Sequence, residues 1–209
     1  MVVMRVLITA GPTWEPIDPV RYIGNRSTGQ MGRSLADAAL AAGHAVTLVV
    51  GPGTVAMPTS VRRVDVESSR QMLDAVLTEW PGHDLLIMAA AVADYRPKVV
   101  HPGKVERGGT LTLELEATED IVAAAGLAKR ADQRTVGFSL VDPANLGRSV
   151  EKLRRKRLDL IVSNPLATMG DNGVEATLLW LDGRAERLPY RTKGAFADLL
   201  IGRAAGLFA

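Results

Sequence analysis

The chain has 209 residues, a formal net charge of +2 from 25 basic and 23 acidic side chains, 47% hydrophobic and 4% aromatic residues, and no cysteine. A chain of this length buries enough surface to fold as one domain without disulfides or metal, and the missing cysteines exclude a disulfide framework, a thiolate zinc site and a catalytic thiol while fitting a reducing compartment. Near-balanced charge with few aromatics argues against a nucleic-acid binder, and no apolar run reaches the ~18 residues of a membrane span.

The start, MVVMRVLITAG, lacks the layout of a secretory leader and reads as a strand over 6–10. A cytoplasmic protein forming a single domain over 1–209 is expected. After a polar, glycine-bearing stretch, Leu35, Ala38, Ala39 and Ala42 keep helical spacing over 32–42, and Gly43 is a natural stop. Strands are predicted over 46–50, ended by Gly51-Pro52-Gly53, and over 61–66. Met72, Leu73, Val76, Leu77 and Trp80 restore the helical period until Pro81-Gly82 ends it. The apolar run over 85–91 is that of a central parallel strand covered on both faces. Residues 94–109, with Pro97, Pro102, Gly103, Gly108 and Gly109 in a charged context, read as a long flap loop. Strict alternation over 110–116 predicts a strand, followed by a helix over 119–129, a strand over 135–140, a helix over 145–157 and a strand over 159–163. Segments 175–181 and 185–189 flank Asp182-Gly183, a hairpin turn signal, and a helix over 193–207 closes the chain. This alternation predicts an α/β fold: a doubly wound, mostly parallel, Rossmann-like sheet with a flap loop and a C-terminal hairpin.

Ligands of such sheets bind beyond the carboxyl ends of the strands. Four segments fall there. In the first, over 10–32, Asn25, Ser27, Thr28 and Gly29 lead into a helix whose free N–H groups attract an anion. Gly24 and Gly29 have Walker spacing, but Gln30-Met31 replaces the required Lys-Ser/Thr, and a GxGxxG fingerprint is absent. In the second, AAAVADYRP, small residues at a strand end admit a ligand to the backbone, and Asp94 suits ribose hydroxyls or a metal ion. The third is Lys104 in the flap. The fourth is EKLRRKRLD, where Arg148, Lys152 and Lys156 share a helical face and repel one another mildly. Taken singly, each has a plain structural reading as a capped helix, a tight turn, a solvated lysine or a solvated face. Together with Arg21 and Arg26 they converge on a ligand carrying several phosphates.

DPVRYIGNRSTGQMG, AAAVADYRP, the lysine of HPGKVERGG, TEDIV, VGF and EKLRRKRLDLIVSNP occur here in an order and spacing that closely resemble the phosphopantothenate–cysteine ligase family, over nearly the whole chain. The resemblance implies a bacterial-type enzyme of coenzyme A biosynthesis. CTP would activate 4′-phosphopantothenate as an acyl-cytidylate with release of pyrophosphate, and cysteine would then form the amide and release CMP. Mg²⁺ would accompany CTP. It also implies Asn25 at the acyl intermediate, Arg21 on phosphopantothenate (reaching across a dimer interface), and Ala90, Ala91 and Asp94 bordering nucleotide and substrate. Lys104 would close over the phosphates, Glu119, Asp120, Ile121, Val122 and Phe138 would line the nucleotide, and Lys152 and Lys156 would grip its phosphates. A homodimer is implied, with the 110–117 strand and the 174–189 hairpin as interface candidates. Many relatives are fused to a flavin-dependent decarboxylase; that half and its flavin are not expected in this chain, so a stand-alone ligase or an excised domain is expected. The sequence departs from the family at Gln30 (usually Lys), at Glu106 and Arg107 after the flap lysine, and at Ser139 to Asp142 (often AAET). A nonenzymatic nucleotide-binding subunit and an NAD(P)-dependent reductase are the alternative readings.

Overall fold

The computed structural model describes residues 3–141, 145–166 and 172–208. In chain order its elements are β1 (Arg5–Ala10), β2 (Trp14–Pro16), β3 (Tyr22–Gly24), α1 (Gln30–Ala41), β4 (Ala45–Val50), β5 (Arg62–Asp65), α2 (Ser69–Glu79), β6 (Leu85–Met88), β7 (Tyr95–Pro97), β8 (Leu115–Ala117), α3 (Ile121–Ala128), β9 (Arg134–Leu140), α4 (Leu146–Arg155), β10 (Leu160–Asn164), β11 (Gly173–Trp180), β12 (Ala185–Thr192) and α5 (Lys193–Ala205). Eight strands form one sheet in the order β12-β11-β10-β9-β6-β1-β4-β5. The stretch from β10 to β5 is parallel throughout, and β11 and β12 extend it as an antiparallel hairpin. Numbered by their own succession, the parallel strands run 3-2-1-4-5-6, the doubly wound order with its switch point between β1 and β6.

Period-2 alternation along buried strands explains why helices cover both faces. Val6, Ile8 and Ala10 join Leu35, Ala39, Phe196 and Leu200 of α1 and α5 in one core cluster. Leu7 turns the other way, to Met72, Val76 and Trp80 on and after α2 and Ile121 of α3. Helix α1 lies unusually close to β1: a Cβ on Gly32 would stand 2.4 Å from the Ala10 Cβ. Its small residues therefore set the layer spacing.

Three expectations need correction, and one ribbon is added. The run over 85–91 leaves the sheet after Met88, because the Ala90 N–H is taken by the Thr9 hydroxyl at 3.1 Å and the Ala91 N–H by the Gly11 carbonyl at 2.9 Å. Of the alternating stretch over 110–116, only Leu115 and Glu116 belong to β8, which pairs with β7 rather than with the main sheet; alternation there reflects an exposed arm, not a buried face. The helix expected from Glu119 starts at Ile121, since the Asp120 side chain accepts the Ala123 N–H at 3.1 Å and acts as its cap. The β2–β3 ribbon was not anticipated; it is closed by Trp14 stacking on Tyr22 at 4.1 Å.

At the opposite, amino edge of the sheet, Asp84 accepts the Arg5 backbone N–H at 2.7 Å and its guanidinium at 2.7 Å, fixing the starts of β1 and β6. The Arg5 guanidinium holds the Asp84 carboxyl below its ordinary range, against the opposing effect of burial. A lowered carboxyl stabilises the fold above its unfolded value of about 3.9, and that contribution is lost as pH falls through the folded value. Asp84→Asn should therefore cost about 1 kcal/mol at pH 7, with the gap from the parent closing below about pH 4. Denaturant titrations at pH 7, 5 and 3 check this; a gap that does not narrow between pH 5 and pH 3 would refute it.

Candidate active site

Beyond Met88 the chain is sewn to the end of β1. Thr13 donates its N–H to the Ala91 carbonyl at 3.2 Å, and the Thr13 hydroxyl accepts the Ala93 N–H at 2.9 Å. Gly11, at φ +80, makes the turn out of β1; a Cβ there would sit 2.6 Å from the Gly51 carbonyl oxygen. Into this crevice reaches Asn25, whose Nδ2 donates to the Ala91 carbonyl at 3.1 Å and the Val92 carbonyl at 2.9 Å. The two bonds orient an otherwise exposed amide, leaving its oxygen outward with no donor among the described residues. Ala90 and Ala91 are half-buried beside it, and the Asp94 carboxylate is exposed with no partner among the described residues.

From Asp94 the chain leaves as an arm, β7 out and β8 back, with 98–114 between them. Thr118 clamps its base, donating its hydroxyl to the Ala93 carbonyl at 2.6 Å and its N–H to the Asp94 carbonyl at 3.0 Å. Arg96 adds ion pairs to Glu116 at 2.9 Å and Glu119 at 2.8 Å, and Arg70 of α2 reaches Glu119 at 3.3 Å. The Glu119 carboxyl lies below its ordinary value, chiefly through its own backbone N–H and then through Arg96 and Arg70, with burial opposing. Lys104, at the far part of the arm, is exposed and unpaired among the described residues.

The cationic helix α4 stands at the ends of β9 and β10. Lys152 donates to the Ser139 hydroxyl at 3.2 Å, and Lys156 pairs with Asp120 at 3.0 Å. Arg148 is exposed. Helix α3 approaches closely enough that a Cβ on Gly126 would lie 2.2 Å from the Lys156 carbonyl oxygen. Ile121 is buried in the core, while Val122 and Phe138 are half-buried against it.

The structure thus joins Asn25, Ala90, Ala91 and Asp94 around one crevice, and links them through Thr118 to the segment holding Glu119, Asp120 and Lys156. Glu119 and Asp120 are engaged with cations, and Ile121 has no exposed side-chain surface to offer a ligand. Arg21 faces Asp18 and the arm rather than Asn25: its Nη2 donates to the Val105 carbonyl at 2.7 Å. These groups line an open edge. The cavities lined by Val141, Ser163 and Arg187 (about 20 Å³) and by Arg134, Asp159 and Trp180 (about 360 Å³) touch none of them. Asp18 and Thr118 were not singled out from sequence. Asp18-Pro19 carries a turn signature, since its Oδ1 accepts the N–H groups of Val20 and Arg21, but its partner Val105 lies far along the chain.

The DNA/pantothenate metabolism flavoprotein C-terminal domain family matches residues 1–207. A cysteine/cysteine sulfinic acid decarboxylase from an unknown prokaryotic organism is 42% identical over 204 residues, covering 94% of this chain and 56% of that protein. The coenzyme A biosynthesis bifunctional protein CoaBC of Vibrio cholerae is 43% identical over 206 residues, covering 94% of this chain and 51% of that protein. The chain spans about half the length of the curated relatives it matches. Among solved structures, the C-terminal domain of a CoaBC protein superposes with a TM-score of 0.85 at 36% identity, covering 99% of this chain and 98% of that one.

Asn25→Asp tests the crevice geometry, because a carboxylate would face two carbonyl oxygens. The variant should lose about 1 kcal/mol, seen as a fall of roughly 2–4 °C in Tm. An unchanged Tm would show that the amide is not held there.

Proposed function

The chain belongs to the DNA/pantothenate metabolism flavoprotein C-terminal domain family, and from that premise we propose that it is a CTP-using phosphopantothenate–cysteine ligase. The observation that carries the reading is the amide of Asn25, fixed by two carbonyls at the β1–β6 switch point beside Ala90, Ala91 and the free carboxylate of Asp94. The likeness to CoaBC proteins supports the pathway, and the reading leaves room for a decarboxylase partner, separate or fused.

The chemistry explains why such an edge is needed. A carboxylate is a poor electrophile. In the first step the phosphopantothenate carboxylate oxygen attacks the α-phosphorus of CTP, the bond to the β-phosphate oxygen breaks, and pyrophosphate leaves. In the second, the cysteine amine attacks the acyl carbon, loses a proton, and CMP leaves. Both reactants of the first step are polyanions, so fixed cations and oriented donors must offset their repulsion. In this reading Arg21 holds the phosphopantothenate phosphate. Asn25 directs the acyl group, while Ala90 and Ala91 let it approach the backbone. Lys104 closes over the phosphates, and Lys152 and Lys156 hold the nucleotide's phosphates. Glu119, Asp120, Val122 and Phe138 flank the nucleotide, with Ile121 offering only its main chain.

Mg²⁺ fits as a companion of the triphosphate. Asp94 is one exposed carboxylate without a partner among the described residues, and such ions take one or two carboxylates plus phosphate oxygens and water. When bound it neutralises phosphate charge. The NAD(P) reading is not favoured: the glycine fingerprint is absent, and α1 begins only at Gln30, after the β2–β3 ribbon.

A homodimer is part of the proposal. Val20, Tyr22, Tyr95, Val99 and Val100 are exposed apolar side chains on the ribbon and the arm, a grouping that suits a second copy. The 174–189 hairpin is a weaker candidate, because β12 at the sheet edge is blunted by Pro189 and by the charges of Glu186, Arg187 and Arg191. No described helix is long and apolar enough to cross a membrane, and cytoplasmic location belongs to the same proposal.

Incubation with phosphopantothenate and CTP, ATP, GTP or UTP, without cysteine, should release pyrophosphate, most with CTP. CTP binding with no release would instead mark a nonenzymatic nucleotide-binding subunit. Lys104→Ala should lower release by about 100-fold or more with an unchanged Tm, and full activity would remove the flap lysine from the chemistry. Sedimentation should give a dimer that Val99→Lys shifts toward monomer; a monomeric parent at micromolar concentration would end the dimer assignment.

A further inference from the structure

One carboxylate on the site's margin is outside every role assigned above. The Asp18 side chain is fully buried, whereas that of its partner Arg21 is 41% exposed. Its Oδ1 accepts the N–H groups of Val20 at 2.8 Å and Arg21 at 2.9 Å. Its Oδ2 accepts Arg21 Nε at 3.0 Å, Arg21 Nη2, and the Val105 N–H at 3.1 Å. Those five donors occupy the acceptor capacity of one carboxylate. The guanidinium and the three backbone N–H groups hold the carboxyl well below the usual carboxylate range, although burial opposes them.

Val105 is gripped on both sides of its Cα, its N–H by Asp18 and its carbonyl by Arg21 Nη2 at 2.7 Å. A main-chain grip of this kind does not depend on the side chain at 105. It fixes the neighbouring Cα, about 3.8 Å away across a trans peptide, from which Lys104 projects. The same strip is held again where the His101 N–H meets the Ile17 carbonyl at 2.9 Å. Arg21 meanwhile uses Nε and Nη2 on these contacts and keeps Nη1 without a partner among the described residues. One nitrogen of an otherwise immobilised fork is thus left for an anion.

We propose that Asp18 is a positioning residue: its carboxylate locks Arg21 and the main chain at Val105 into one unit, so that the phosphopantothenate arginine and the flap lysine are presented together. This rests on the ligase reading for the roles of Arg21 and Lys104, but the lock itself does not. Without it, Arg21 is a flexible surface side chain and Lys104 loses its nearest tether, the next one back being at His101. Binding then has to order both, which raises KM for the substrate Arg21 holds more than KM for CTP.

Asp18→Asn keeps the shape but sets an NH₂ group, or the wrong charge, against Arg21 and the Val105 N–H. By hydrogen exchange, amides of 98–108 should lose at least about ten-fold protection while β1 and β6 stay protected. In pyrophosphate release, KM for phosphopantothenate should rise about ten-fold or more, with KM for CTP within about two-fold. Adding Arg21→Ala should cost less than the product of the two single losses, because Asp18 acts in part through Arg21. Unchanged exchange over 98–108, or losses that multiply in the double variant, would overturn the proposal. Should Asp18→Asn unfold, Val105→Pro decides: it removes the N–H that Asp18 accepts, along with fixing φ at 105 and restricting Lys104, and it should raise the same KM, failing which the lock has no role. If the parent releases no pyrophosphate with any nucleotide, the ligase reading falls and the exchange result alone decides the lock.

Discussion

Everything at the carboxyl edge hangs from the way β1 and β6 part. Two adjacent parallel strands that end together leave main-chain donors and acceptors that need partners. Here the two exits supply each other: Thr9 and Thr13 lend hydroxyls to Ala90 and Ala93, while Gly11, Thr13 and Ala91 exchange backbone bonds. With these groups satisfied locally, a turn of small residues is held rigid at the switch point. Asn25 then completes it by bonding the Val92 carbonyl and sharing the Ala91 carbonyl with the Thr13 N–H, so its amide orientation is a consequence of main-chain requirements. Preorganisation of this kind avoids reorganisation during a reaction.

The same stitching explains what was legible in the sequence. The alternation of apolar runs and helical periods gave the doubly wound order because each buried strand carries its own signal, and Asp182-Gly183 marked the hairpin, with Gly183 at φ +93. The β2–β3 ribbon left no trace, since strands of three residues among Pro12, Pro16 and Pro19 have no period to read. The run over 85–91 overshot because apolarity does not register where a ladder ends; side-chain hydroxyls on another strand decide that. Asn25, Ala90, Ala91 and Asp94 were readable as a group because they sit on the exits of known strands. Asp18 was not: its partner is separated from it by 87 positions, and only the folded arm brings them together.

Charge at the edge follows a similar logic. A site for polyanions must collect cations, and collected cations repel one another before any ligand arrives. The fold answers this with graded partners. Asp18 engages Arg21 and Asp120 engages Lys156, whereas Lys152 has only the Ser139 hydroxyl and Lys104 has nothing among the described residues. An alanine at 139 would leave Lys152 without this contact. The register neighbour of Ser139, Ser163, bonds Ser149 at 3.1 Å, so two serines on adjacent strands set the seat of α4. A phosphate arriving at this edge would meet the weakly partnered ammonium groups first. It would compete with a carboxylate only for Lys156, whose ion pair is partly exposed and therefore exchangeable. The Asp18–Arg21 pair is of the opposite kind, since its carboxylate is fully buried and losing Arg21 would strand it, and it serves as a fixed point around which the looser cations rearrange.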